Sequence, residues 1–358
     1  MRTLTINSAA LAHNLERVRA YAPDKKVLAM IKANAYGHDL LTVATALRSA
    51  EGFGVADLSE AICLRKAGFK QTILVMRGFH DLTELQAFAH YGLTAVVHNE
   101  VQLAVLEQNS LSGQIGVWLK VDSGMHRLGL PPAKVAAVFA RLRACANVLQ
   151  PLCVMTHFAD ANDSSQLATA RQLSVFSQCL ATVPKTHTFE TSLANSAGII
   201  RYPASQGDWV RPGIMLYGAS PFNDHAASDY GLQAVMTLKT RLIAIHALAK
   251  GDAIGYGGSY VCPKSMTIGV IAFGYGDGYP RLAPTGTPVL INGQLVPIVG
   301  RVSMDLITVD LSALSAVALG AEATLWGEGL PIETIAHCVE TISYELFCHI
   351  QRHRINTR

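Results

Sequence analysis

No apolar stretch in the sequence approaches the roughly 18 residues that a membrane-crossing helix needs. Charge is scarce: 15% of the 358 residues are Asp, Glu, Lys or Arg, and 29 basic against 26 acidic side chains give a formal charge of +3. The densest basic run is Gln351-Arg352-His353-Arg354, beside the C-terminus. A basic face of the kind that grips nucleic acid is therefore not expected. The seven cysteines, at 63, 145, 153, 179, 262, 338 and 348, are odd in number and include no Cys-x-x-Cys pair. They read as small buried hydrophobes in a reducing compartment, with no metal site. Met1-Arg2-Thr3-Leu4-Thr5-Ile6 lacks the charged-then-apolar layout of an export signal, so the expected location is the cytoplasm.

What is present is a large reserve of apolar residues, 50% of the chain, with 29 Gly and 14 Pro. That excludes disorder and suits one large domain or two. Apolar runs recur at 27–33, 53–57, 72–77, 94–98, 116–121, 152–158, 188–192 and 209–217. Amphipathic stretches at 39–50, 58–67, 81–90, 100–108, 131–144 and 164–180 separate them, and one more, 8–21, precedes them. Apolar strands alternating with helices indicate parallel βα units, and eight units predict a closed (β/α)8 barrel. An open doubly wound sheet is the alternative, but no Gly-x-Gly-x-x-Gly follows the first strand.

From about residue 232 the pattern changes. Runs at 237–247, 267–273, 289–292, 295–299, 306–311 and 323–326 read as strands without intervening helices, and Asn292-Gly293 is a strong hairpin signal. A last helix is expected over 332–349. The predicted organisation is a barrel over 1–231 and a mainly β domain over 232–358.

Chemistry-bearing residues sit where barrel strands end, the face on which barrel enzymes build their sites. Lys32 follows the first apolar run; it can serve as a base or form a Schiff base, and equally can snorkel to water. Lys120 and Arg127 flank the end of the fifth strand, His157 ends the sixth, Asn195 and Ser196 follow the seventh, and Arg211 lies on the eighth. Several such residues converging on one face point to a site. Ser196 and the backbone N–H groups of Gly213 and Ile214 could cradle a phosphate. No nucleotide-type phosphate loop is present, so lysine, arginine and cradle together suggest pyridoxal phosphate.

These segments resemble the alanine racemase family. The resemblance runs in order through Lys32-Ala33-Asn34-Ala35-Tyr36-Gly37-His38, 120–129, Asn195-Ser196, Arg211-Pro212-Gly213, Gly255-Tyr256-Gly257, Gly274-Tyr275-Gly276-Asp277-Gly278 and Ser303-Met304-Asp305. It implies that Lys32 holds pyridoxal phosphate as a Schiff base, with Tyr36, Ser196, Gly213, Ile214 and Tyr344 on the phosphate. It also implies that Arg211 faces the pyridine nitrogen with His157 near it. Lys32 and Tyr256 would be the two bases that racemisation requires, one on each face of the substrate Cα. Tyr256 would reach the site of the partner in a homodimer. Arg127 and the backbone of Met304 would hold the alanine carboxylate, and Lys120 matches a lysine that is carbamylated in many members.

The chain departs from that pattern in three places. Ser192 stands where some relatives have histidine, which predicts altered support around Arg211. Ser303 replaces a cysteine, and the tail Arg352-His353-Arg354-Ile355-Asn356 lacks the family's Arg-Val-Pro. Two rivals are weighed. A decarboxylase of similar barrel fold would need a cysteine donor that finds no counterpart here, and a non-catalytic cofactor-binding barrel would have no second domain.

Overall fold

The structure is a computed structural model that describes residues 2–184, 186–352 and 355–357. His353 and Arg354 of the basic tail lie outside the described residues.

All eight predicted barrel strands form: Lys26–Met30, Gly52–Val55, Thr72–Val75, Thr94–Val97, Gly116–Lys120, Leu152–Met155, Phe189–Ser192 and Trp209–Val210. They pair in parallel, in chain order, and close on themselves through Lys26 and Val27 against Trp209 and Val210. Strands covered on both faces must be apolar throughout, and Val27, Leu28 and Ala29 are fully buried. Gly52 makes room inside the barrel, because a Cβ there would come within 2.7 Å of Leu28 Cδ1.

All eight strands are shorter than their apolar runs, and the first and last show why. The first stops at Met30, and the chain then enters a turn of unusual hand. The last stops at Val210; Pro212 has no N–H for a ladder, and a 3-10 turn, Ile214–Tyr217, follows.

The chain divides into two compact units. One holds residues 15–35 and 39–216; the other holds the described residues of 1–14, 36–38 and 217–358. These units differ from the expected break at 231/232. The N-terminal residues join the β unit through a strand, Thr3–Ile6, that the sequence reading had not placed: it pairs antiparallel with Met236–Leu248, Thr3 opposite Lys239. With only four residues it carries too little pattern to be recognised on its own.

In this second unit Met236–Leu248 also pairs with Met266–Ile271 and Glu322–Trp326. Its register shifts between Leu238 and Lys239 and between Leu242 and Ala244, bulges that let one long strand serve both sets of neighbours. The predicted hairpin is present: Pro288–Ile291 and Gln294–Pro297 pair across Asn292 and Gly293, whose φ values are 50° and 76°. Two positive φ values are what the tightest hairpin turn demands. The last helix is two helices, Ile332–Cys338 and Ser343–His349. Glu340, with φ of 55°, interrupts the continuous helix expected over 332–349.

Candidate active site

Within the barrel unit, Arg211 is the organising cation. Its side chain is 2% exposed, and three of its four contacts are full hydrogen bonds to chain oxygens. Nη1 donates to Ser192 Oγ at 2.7 Å, and Nη2 donates to the carbonyls of Thr156 at 2.6 Å and Leu193 at 3.1 Å. Nη2 also points at His157 Nδ1, 3.4 Å away. Since arginine can only donate, Nδ1 is the acceptor and a neutral ring carries its proton on Nε2. The Nε–H of Arg211 donates to no described group. Ser192, the histidine replacement, thus supports Arg211 directly and passes its own hydrogen to the Trp209 carbonyl at 2.8 Å.

Burial and like charge act together on this cluster. His157 is held well below its ordinary pKa, first by burial and then by Arg211, Lys120, Arg127 and Lys32, so its ring is neutral. Lys120 is pushed down to about 8, again by burial and then by Arg211, Arg127 and Lys32; Asp122 opposes this only in part. Burial pulls Arg211 down to about 10, which leaves it protonated at neutral pH. Four cations therefore feel one another around a neutral histidine. Such a cluster is costly unless an anion joins it.

Ser196 begins the short helix Ser196–Arg201, and the side chain of Asn195 caps it by accepting the Gly198 N–H at 2.9 Å. Ser196 Oγ accepts the Gly213 N–H at 2.9 Å, so that N–H, expected to be free for a phosphate, is paired within the chain. The Ser196 hydroxyl keeps its own hydrogen to give. The N–H of the buried Ile214 donates to no described group.

Lys32 opens a segment in which Ala33, Asn34, Ala35 and Tyr36 have φ of 55°, 51°, 54° and 53°. This is a full turn of left-handed helix. Each non-glycine residue in that conformation costs about 1–2 kcal/mol. Surrounding bonds hold it: Asn34 Oδ1 accepts the Leu40 N–H at 2.8 Å, and the Asn34 carbonyl accepts the Asp39 N–H at 3.1 Å. Glu60 accepts from both Asn34 N–H, at 2.9 Å, and Ala56 N–H, at 3.0 Å. Backbone strain of this kind concentrates at functional sites.

The remaining expected residues belong to the β unit. The rings of Tyr36 and Tyr344 lie 5.8 Å apart, and Tyr36 stacks on Tyr217 at 4.7 Å. Burial pushes Tyr344 up to about 12 and Tyr36 further upward, with Tyr344 and Cys348 adding to the effect on Tyr36. Both phenols are therefore hydrogen-bond donors at any physiological pH. Tyr256 lies in a 3-10 turn after Gly255 and is 72% exposed. Met304 is 54% exposed, and its backbone N–H donates to no described residue.

The alanine racemase N-terminal domain family matches residues 6–221, and the alanine racemase C-terminal domain family matches residues 235–358. The chain belongs to the alanine racemase family. The alanine racemase of Aeromonas hydrophila is 49% identical over 341 residues, 95% of this chain and 94% of that one. The biosynthetic alanine racemase of Pseudomonas aeruginosa superposes with a TM-score of 0.95 at 38% identity, covering 100% of this chain and 98% of that one. The Bartonella henselae alanine racemase, a structure with covalently bound pyridoxal phosphate, has a TM-score of 0.88 at 28% identity, covering 100% and 99%.

Two residues that brace the candidate site in this alanine racemase family member, Glu60 and Gln172, had no sequence signal, and a third, Asp277, was visible only as part of a motif. Glu60 reaches backbone atoms far from it in the chain. The buried Gln172 donates to the His157 carbonyl at 3.0 Å and to Ser123 Oγ at 3.2 Å. Asp277 sits in a Gly/Tyr-rich run that reads as turn chemistry and is fully buried. Among the described residues no group of three or more His, Cys, Asp or Glu could hold a metal ion.

Proposed function

We propose that this protein interconverts L-alanine and D-alanine with pyridoxal phosphate bound through Lys32. The observation that carries the reading is the cationic cluster of half-buried Lys32, buried Lys120 and Arg211 and exposed Arg127, into which Arg211 offers an unused Nε–H. The donor set fits the cofactor. Ser196 and the Ile214 N–H can give hydrogen bonds to a phosphate, and so can the protonated phenols of Tyr36 and Tyr344. Gly213 would act through its bond to Ser196. When bound, pyridoxal phosphate supplies an aldehyde for the amine and a conjugated ring that takes up the electron pair left at Cα.

The chain's own residues divide the rest of the work. Arg211 stays protonated, so it shares a hydrogen with a ring nitrogen rather than surrendering a proton. The Ser192 hydroxyl and the Thr156 and Leu193 carbonyls fix its guanidinium, and neutral His157 stands beside it without adding charge. Once substrate displaces it, the Lys32 Nζ can take or return a proton on one face of Cα, and Tyr256 can do so on the other. An exposed Tyr256 is what a tyrosine lent to a partner subunit requires. Arg127 and the Met304 N–H would hold the carboxylate.

Lys120 is suited to carbamylation. A lysine shifted to about 8 has about a tenth of its amine free at pH 7, roughly 300 times the share of an unshifted lysine, and the free amine is the form that captures carbon dioxide. The product is an anion among three remaining cations, which replaces the repulsion that adds to burial in lowering this lysine.

The test is direct. The optical rotation of L-alanine should decay to zero with the cofactor-loaded protein and not with the cofactor-free protein. Borohydride should fix the cofactor to one peptide containing Lys32, and Lys32→Ala should show no such peptide. Rotation that persists with cofactor present refutes the activity.

A further inference from the structure

A buried carboxylate without a compensating charge is costly, and Asp277 is 0% exposed. Part of its compensation comes from the other end of the chain. Arg2 Nε lies 3.2 Å from Asp277 Oδ2, and the same Nε donates to the Ala272 carbonyl at 3.1 Å. Arg2 Nη2 lies 3.7 Å from Asp305 Oδ1. The Arg2 carbonyl in turn accepts the Asn356 N–H at 3.2 Å, and the following strand is paired from Thr3 onward, so the guanidinium has a fixed base.

The two carboxylates bracket one functional segment. Asp277 accepts the Gly274 N–H at 3.1 Å and so shapes the turn Tyr275–Asp277. That turn grips the neighbouring loop through backbone bonds: Tyr275 N–H to the Ser303 carbonyl at 3.1 Å, and Gly276 N–H to the Met304 carbonyl at 2.8 Å. The packing has no slack, because a Cβ on Gly274 would stand 2.3 Å from both of those oxygens. Asp305 immediately follows Met304. Arg2 therefore braces the turn that holds Met304 and places a positive charge by the anion beside it.

We propose that Arg2 is a positioning residue for the substrate carboxylate, acting through Asp277 and Asp305 on the backbone N–H of Met304. The proposal rests on the reading of Met304 as a carboxylate donor. Two effects have the same sign. Without Arg2 the turn loses its anchor, and a hydrogen bond from Met304 weakens steeply as its angle opens. Asp305 would also lose the Arg2 charge one residue from the N–H that must meet a carboxylate, which adds like-charge repulsion there.

The experiment uses the cofactor-loaded enzyme and two fragments of the substrate. Propionate carries the carboxylate alone; ethylamine carries the amine alone. Arg2→Met should raise KM for alanine and weaken inhibition by propionate about tenfold, the factor that one charge-assisted hydrogen bond carries. It should leave kcat, and ethylamine binding read from the cofactor's absorption, within about twofold on the same scale. If propionate binds the variant as it binds wild type, or if ethylamine and kcat suffer equally, the proposal is overturned. Should Arg2→Met not fold, Arg2→Lys decides by the same readout. It keeps a cation beside Asp277 while losing the two-carboxylate reach, and it should still weaken propionate. Met304→Pro, which deletes the N–H, checks the underlying reading separately. Unchanged propionate affinity there removes Met304 from the site and Arg2 with it. Weakening there without weakening in the Arg2 variant overturns the inference alone.

Discussion

The Glu60 carboxylate accepts the backbone N–H of Asn34 at 2.9 Å, in the middle of the left-handed turn that follows Lys32. Its second oxygen takes the Ala56 N–H at 3.0 Å. A conformation that costs several kcal/mol over four residues persists only where its surroundings over-determine it. Glu60→Ala should lower stability by about 2 kcal/mol, the value of hydrogen bonds to a charged group, and should speed loss of the cofactor. Glu60→Gln, which keeps one acceptor oxygen, should fall between. Thermal unfolding and the rate of colour loss on dilution check both. Unchanged values in Glu60→Ala would show that the turn needs no clamp.

Lys120 gives stability a pH dependence of definite sign. Its pKa falls from 10.5 to about 8 on folding, so between those values the unfolded chain binds more protons than the folded one. Stability therefore rises with pH across that window, by at most about 3 kcal/mol, and Lys120→Met should lack the rise. Thermal unfolding at about pH 8 and about pH 10.5, the two ends of the window, measures it in buffer free of carbon dioxide. Added bicarbonate should flatten the wild-type response, because a carbamylated lysine no longer titrates there. A wild-type curve as flat as the variant's in both buffers would mean that Lys120 is not held as described.

Arg211 is expected to restrain the cofactor. Replacing it by a group that can give a proton to the ring nitrogen should strengthen the electron sink and lengthen the life of the charge at Cα. Each 1.4 kcal/mol of added stabilisation is about tenfold in the population available for side reaction. Arg211→Glu should therefore racemise more slowly and release pyruvate about tenfold faster. Lactate dehydrogenase coupling reads the pyruvate. No gain in a variant that still binds cofactor would count against this role.

A shared site has an arithmetic signature. Lys32→Ala and Tyr256→Phe should each be nearly inactive. Mixed and allowed to exchange subunits, about half of the dimers become heterodimers in which one of the two sites is intact. Activity should then return to about a quarter of wild type. If both bases came from one chain, every site would carry a lesion, and exchange would restore nothing.

Much of this protein is written in local pattern. The eight apolar runs could only be strands covered on both faces, and alternation with amphipathic helices left few ways to connect them other than in parallel. Asn292-Gly293 specified its hairpin because few dipeptides accept two positive φ values. The candidate residues Lys32, Lys120, His157, Ser196 and Arg211 were legible as polar groups at strand ends, and the barrel brings them to one mouth.

Other features depend on contacts between residues remote in sequence. The hand of the turn after Lys32 is set by Glu60 and Asn34, since alanine has no preference of its own for left-handed backbone. The early halt of the first strand follows from that turn. Thr3–Ile6 joins the β unit because Met236–Leu248 offers it an edge, a fact that no window of four residues contains. The lowered pKa of Lys120 and the neutral ring of His157 arise only when separate strands place their charges in one desolvated space. Sequence by itself determined the barrel strands, the hairpin and the polar groups at the strand ends, because these follow from short-range periodicity and turn chemistry. The tertiary structure alone decided which carboxylate meets which cation and which N–H is left to give, because those depend on long-range closure of the chain.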